Sequence, residues 1–274
     1  MFVRINDISL HLRIDGPEEA PALLLLHSLG TNLHVWDGQA DMLATRFRVI
    51  RPDLRGHGET EVTPGPYSIE QMASDMIGLL DTLGIGDFHL AGLSIGGVIA
   101  QQIAHQCRSR VKSLTLCDTA LALPPASGWR DRAALVRAQG IDVIVDAVIA
   151  RWVTAAYVQA PATGILRQML LQTAPEGYAA ACEALAAADL TRQTQTLRLP
   201  TLVIVGSEDL ATPPASARAL AGAIAGAQLV EIAGAAHIPN AEKPLELAMR
   251  IFDFVSAQSG AGEVSGGRPV ARHG

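Results

Sequence analysis

Cysteine is scarce in this sequence: Cys107, Cys117 and Cys182 are the only three, an odd number at wide spacing in two helical patterns and one strand pattern. That spacing excludes a disulfide framework and fits a reducing compartment. Long basic clusters are missing too, with a formal charge of −6 and a pI near 5.7. The electrostatic footprint of a nucleic-acid binder is therefore absent, and a small-molecule partner is expected. No apolar run reaches the length of a membrane span. The opening MFVRINDISLHLRIDG alternates apolar and polar residues, where a signal peptide would show a basic segment and then an apolar one. No internal repeat occurs, and no pair of His, Cys or carboxylate residues has ligand-like spacing on one element, so no copper, zinc or iron site is expected. The absences together describe a cytoplasmic protein with no membrane or nucleic-acid partner.

What is present is 274 residues, 49% of them hydrophobic and 18% charged, enough for one large domain with an inserted subdomain. Ile8, Leu10, Leu12 and Ile14 alternate with polar residues after the turn signal Asn6-Asp7, so the chain opens with a hairpin. Strands and helices then take turns. The expected strands are 22–27, 47–53, 88–91, 111–118, 201–206 and 227–234; a helix is expected through 36–43, another from Ser68 with Gln71 as its capping box, and another over 95–106. Alternating β and α with continuous apolar strands means a mostly parallel central sheet flanked by helices, an α/β architecture. Between Ala120 and Thr196 the pattern becomes helical throughout and alanine-rich, so residues 120–196 read as a helical cap inserted into a core of 1–119 and 197–255. Residues 256–274, rich in Gly and Ser, read as a flexible tail.

The stretch FHLAGLSIGGVIAQQ holds Ser94 between Gly92 and Gly96 where a strand becomes a helix. A turn that sharp forces its apex residue into strained φ/ψ, and side chains larger than hydrogen beside it would collide. Strand, Gly-x-Ser-x-Gly turn and helix in that order form a nucleophile elbow. A serine hydroxyl is a poor nucleophile by itself and needs a base, which in turn needs an orienting acid. Downstream, GSEDLATPP places Asp209 just past an apolar strand, and GAAHIPNAEKP places His237 in the loop after the last strand. The order Ser94, Asp209, His237 is the one this arrangement requires. Asp118, which also ends a strand, and Glu208 are the rival acids. Of the other histidines, His11 lies on an exposed strand face, His89 inside the elbow strand and His105 late in a helix, with His273 in the tail. His27 organises the loop after its strand, and His57 belongs to the turn DLRGHGE. For the oxyanion of an ester-type reaction, the expected donors are the backbone N–H groups of Ile95, after the nucleophile, and Leu29, in the loop HSLGT; Ser28 is the alternative to Leu29.

Through HSLGT, DLRGHGE, GLSIGG, GSEDLATPP and AAHIPNAEKP the sequence resembles the α/β-hydrolase superfamily over nearly all its length. RWVTAAYV at 151–158 and APEGYAAACEALAAADL at 174–190 make it similar, more closely, to the 3-oxoadipate enol-lactonases. The resemblance implies the α/β-hydrolase fold, Ser94 as nucleophile, His237 as base, Asp209 as acid, no metal or organic cofactor, and a lactone substrate carrying a carboxymethyl arm. That carboxylate needs a counter-charge. The cap has six arginines, six acids and no lysine, hence no net positive field, so a specific guanidinium must bind it. Arg130 beside Trp129 and Arg151 beside Trp152 are the candidates.

Overall fold

A computed structural model describes residues 1–259. The chain opens with the hairpin β1 (Phe2–Ile5) and β2 (Ile8–Asp15), turned through Asn6 at φ +50°, a backbone conformation that asparagine tolerates. Next come β3 (Ala22–Leu26), a 3₁₀ turn over Leu33–Trp36, α1 (Asp37–Leu43) and β4 (Arg48–Pro52). The single helix expected over 36–43 thus begins as a tighter turn, capped by the Asn32 side chain. α2 (Ile69–Thr82) starts at Ser68, whose hydroxyl accepts the Gln71 N–H at 3.0 Å. The segment β5 (Phe88–Leu93), α3 (Ile95–Gln106) and β6 (Val111–Cys117) follows.

Five helices then intervene before the sheet resumes: α4 (Ala126–Gln139), α5 (Val145–Trp152), α6 (Pro161–Gln172), α7 (Pro175–Ala187) and the short α8 (Thr191–Thr194). The chain returns through β7 (Thr201–Gly206), α9 (Pro214–Ala223), β8 (Gln228–Ile232), the short α10 (Pro239–Glu242) and α11 (Pro244–Ser259). Residues 256–259, expected in the tail, continue this last helix; the rest of the tail, with His273, lies outside the described residues.

The eight strands form one sheet in the order β1-β2-β4-β3-β5-β6-β7-β8, antiparallel at β1/β2 and β2/β4 and parallel beyond. Every residue of β3, β5 and β7 is buried, as predominantly apolar strands covered on both faces require. The cover comes from α1 against α11, with α11 on β6, and from α2 against α3, with α3 lying over β3, β5 and β6. Edge strand β8 is largely exposed. His11 corrects its expected exposure: although β2 lies near the sheet edge, the loop after β4 covers the ring, and Nδ1 pairs with Asp53 Oδ2 at 2.8 Å. Because the parallel strands all run the same way, the residues after β3, β5, β6, β7 and β8 emerge at one end of the sheet, beneath the inserted helices.

Candidate active site

Ser94 links β5 to α3 at φ +56°, ψ −117°, a strained left-handed conformation for a residue with a side chain. Its N–H donates to the Cys117 carbonyl at 2.9 Å, while its own carbonyl accepts the Thr119 hydroxyl at 2.8 Å, so the turn is held from the neighbouring strand. A Cβ at Gly92 would stand 2.2 Å from the Gly96 oxygen, and one at Gly96 would stand 2.5 Å from the Leu26 oxygen. The two glycines are what allow the helix to start this close to β3 and β5.

His237 lies in the loop after β8 and Asp209 in the loop after β7, and the sheet brings both to Ser94. The Ser94 hydroxyl lies 3.0 Å from His237 Nε2, and His237 Nδ1 lies 2.9 Å from Asp209 Oδ2. The carboxylate accepts the Nδ1 proton, leaving the Nε2 lone pair for the serine hydroxyl. Asp209 Oδ1 also takes the N–H groups of Ala211 (2.7 Å) and Thr212 (2.9 Å), and Oδ2 the Thr212 hydroxyl at 2.6 Å. Burial alone would raise this carboxyl, but the charge and hydrogen bond of His237 and the donors of Thr212 outweigh it and hold Asp209 below the ordinary carboxylate value. Of the rival acids, Glu208 is exposed, whereas Asp118 is fully buried against the same group.

One atom each of Asp118, Asp209 and His237 falls within 4.8 Å of the others, a grouping of metal-ligand type. Its donor chemistry is that of a hydrogen-bond relay: both Asp209 oxygens are engaged by N–H and O–H donors, and both His237 nitrogens have partners.

The Leu29 loop is fixed by His27. Its Nδ1 donates to the Ser28 carbonyl at 2.8 Å and its Nε2 accepts the Leu54 N–H at 2.9 Å, which sets a neutral tautomer. Burial lowers its pKa in the same sense. The His57 ring lies tilted against His27 at 5.3 Å between centroids, and burial, with His27 second, lowers the His57 pKa to about 3. His27 and His57 thus tie the motifs HSLGT and DLRGHGE to each other and support the Leu29 loop. Leu29 and Ser28 both line the cavity at Ser94, and Ile95 is the first residue of α3, with its N–H at the positive end of the helix dipole.

The cavity over Ser94 and His237 is small, about 40 Å³, and is walled by Trp129, Arg132, Arg151 and Trp152 from the inserted helices. An outer chamber of about 260 Å³ shares Leu123, Trp129, Arg132, Arg151 and Ala211 with it. Only together do the two approach the size of a small-molecule site, ~300 Å³ at the low end. Trp129, Arg151 and Trp152 stand where the sequence analysis expects them. Arg130 does not: it is exposed and lines neither chamber. Arg132 takes its place, with its guanidinium 5.0 Å above the Trp129 ring, whose Nε1 donates to the Leu123 carbonyl at 2.7 Å. Helical periodicity carried this signal, since 129 and 132 share a face of α4 while 130 turns about 100° away. Arg151 lines both chambers and donates to the Leu210 carbonyl at 3.2 Å.

Residues 21–139 match the family model of the alpha/beta hydrolase fold. The chain is 37% identical to 3-oxoadipate enol-lactonase 2 of Acinetobacter baylyi, over 87% of this chain and 90% of that protein. It superposes on the crystal structure of an enol-lactonase from Burkholderia xenovorans with a TM-score of 0.91 at 40% identity, covering 93% of this chain and all (100%) of that one. A malate-bound thermophilic esterase from Thermogutta terrifontis superposes with a TM-score of 0.89 at 33% identity, covering 94% and 99%. Among the described residues, no helix is long and apolar enough to cross a membrane.

Proposed function

Since the chain belongs to the α/β-hydrolase fold family, we propose that this hydrolase opens 3-oxoadipate enol-lactone to 3-oxoadipate through a serine-bound acyl intermediate. The observation that carries the reading is the unbroken hydrogen-bonded chain Ser94–His237–Asp209 beneath a cavity walled by two arginines. In the first step His237 Nε2 takes the Ser94 hydroxyl proton as Oγ attacks the lactone carbonyl. Negative charge moves to the carbonyl oxygen, which the N–H groups of Leu29 and Ile95 receive. Collapse breaks the ring C–O bond and acylates Ser94. The leaving oxygen departs as an enolate, a weaker base than an alkoxide, so it asks little of His237 as acid. It takes up the proton that His237 removed from Ser94, which returns the histidine to its neutral form; it remains tethered to the acyl group, and ketonisation removes it as a competitor for the acyl carbon. Water, deprotonated by His237, then releases the diacid.

Arg132 and Arg151 serve the carboxymethyl arm. A guanidinium offers a carboxylate two parallel donors, and the shared wall of the two chambers puts both arginines beside any ligand that reaches Ser94. The enol-lactonase relatives and the malate-bound esterase, whose ligand is itself a dicarboxylate, support this reading.

The test follows ultraviolet loss of the enol-lactone, generated in situ, with wild type and Ser94→Ala side by side. Expected is rapid loss in wild type and a fall of about a million-fold in the variant. The second reading is a carboxylesterase, favoured by the likeness to the solved esterase. Wild type that ignores the lactone while cleaving aryl esters through Ser94 would select it.

A further inference from the structure

Asp118 follows β6, the strand paired on one side with β5 and on the other with β7. It is fully buried, and its φ of +44° is a left-handed conformation that aspartate adopts more readily than most residues. Oδ1 accepts the N–H of Gly206, the last residue of β7, at 2.8 Å. Oδ2 is buried with no donor directed at it. The groups facing this carboxyl are Asp209 from the loop after β7, His237 from the loop after β8, Glu242 on α10 and Cys117 on its own strand. Among the described residues, no arginine or lysine forms an ion pair with it.

The two neighbouring carboxyls are provided for very differently. Asp209 receives four donors, from Ala211, Thr212 twice and His237, which is the environment of an anion. Asp118 receives one. Two carboxylates this close in a buried site cannot both ionise, and the one with fewer donors keeps the proton. Burial, and after it the adjacent Asp209, push Asp118 well above the ordinary carboxyl range.

We propose that Asp118 is a neutral positioning residue, donating its Oδ2–H to the Asp209 carboxylate while its Oδ1 receives the Gly206 N–H. This arrangement gives the otherwise orphaned Oδ2 a partner. It also ties Asp209 to the end of β7 and to β6, so Asp209 Oδ2 stays on the imidazole as the histidine gains and loses its proton. The role rests on the reading of Ser94, His237 and Asp209 as the reacting group.

The protonation is tested by difference infrared spectroscopy of wild type against Asp118→Asn at neutral pH. The substitution is expected to remove the C=O stretch of a protonated carboxylic acid; loss of a carboxylate band instead overturns the proposal. This readout needs no turnover, so it stands even if the enzyme acts on neither lactone nor ester. The positioning role is tested by kinetics on whichever substrate is turned over. Asp118→Val is expected to lower kcat about 10- to 100-fold with little change in KM. Asp118→Asn, which presents an acceptor to Gly206 and a donor to Asp209, is expected to recover most of that loss. A valine variant as active as wild type, or an asparagine variant no better than valine, overturns the role. If the valine variant does not fold, an asparagine variant that loses more than about 10-fold in kcat does so by itself.

Discussion

At Ser94 the chain accepts about 1–3 kcal/mol of backbone strain in order to lift one hydroxyl out of the sheet toward His237. That strain persists only because Gly92 and Gly96 leave room for the turn. In Gly96→Ala the new methyl would meet backbone oxygens at 2.5 and 2.7 Å, which cannot rotate away. We expect it to lower Tm by about 5 °C or more and to cost most of the activity, measured by thermal melts beside ester or lactone assays. The proposed recognition of the substrate carboxylate turns on an equally local matter, the two-residue step from Arg130 to Arg132. Replacing Arg132 by alanine removes a charged donor of about 1.5–3 kcal/mol, so KM for the carboxylate-bearing lactone should rise about 10- to 100-fold while a neutral aryl ester is spared. Arg130→Ala should alter neither, since its side chain is exposed outside both chambers. If the two variants behave alike, the assignment of Arg132 is wrong.

Between elements, the loop that carries His237 and the inserted helices are fastened to each other. The Ile238 N–H donates to the Trp152 carbonyl at 2.9 Å, and the Tyr157 hydroxyl to the Ala241 carbonyl at 2.7 Å. Glu242 joins them: Oε1 takes the N–H and hydroxyl of Thr154 at 2.9 and 2.7 Å, and Oε2 the Ala236 N–H at 2.6 Å. The residue just before the candidate base is therefore held by the same carboxylate as the exit of α5. Truncation in Glu242→Ala leaves these donors unmet, at about 1–3 kcal/mol. We expect kcat to fall about 10-fold, more than KM changes, with a lowered Tm; an unchanged kcat would separate the fastening from the chemistry. At the far end Arg137 bridges Glu176 and Glu183 while Glu176 accepts the Gly65 N–H at 3.0 Å, which fixes α4 and α7 to the loop before α2. No sequence pattern announced these contacts, because each joins residues that lie far apart in the chain and come from different elements.

Across the whole molecule, buried histidines set the response to acid. Burial, with His27 second, lowers His57 to about 3; burial, with Lys112 second, lowers His89 to about 4. Between those values and the unfolded 6.5, the unfolded chain binds more protons than the folded one, so stability rises with pH there. It is fully present above about pH 6.5 and is lost progressively as pH falls toward 4. Thermal melts should therefore show Tm declining below about pH 6.5, and His89→Gln should flatten that slope whatever it does to the absolute Tm. A slope unaltered by the substitution would remove His89 from the explanation. The architecture behind this behaviour was largely legible from residue order alone. Unbroken apolar runs such as Leu23–Leu26 have no polar face to turn outward, so they demanded a parallel sheet covered on both sides. The Gly-Ser-Gly elbow was equally explicit, because its glycines answer a clash between residues close in the chain. Asp209 and His237 followed from strand ends and chain order. Three-dimensional packing alone decided that the Trp129–Arg132 face of α4 meets the cavity, that His11 is covered, and that Asp118 shares a buried site with Asp209. Those outcomes depend on side chains from separate strands and helices meeting in space, and local periodicity sets only the face a residue takes, never what lies opposite it.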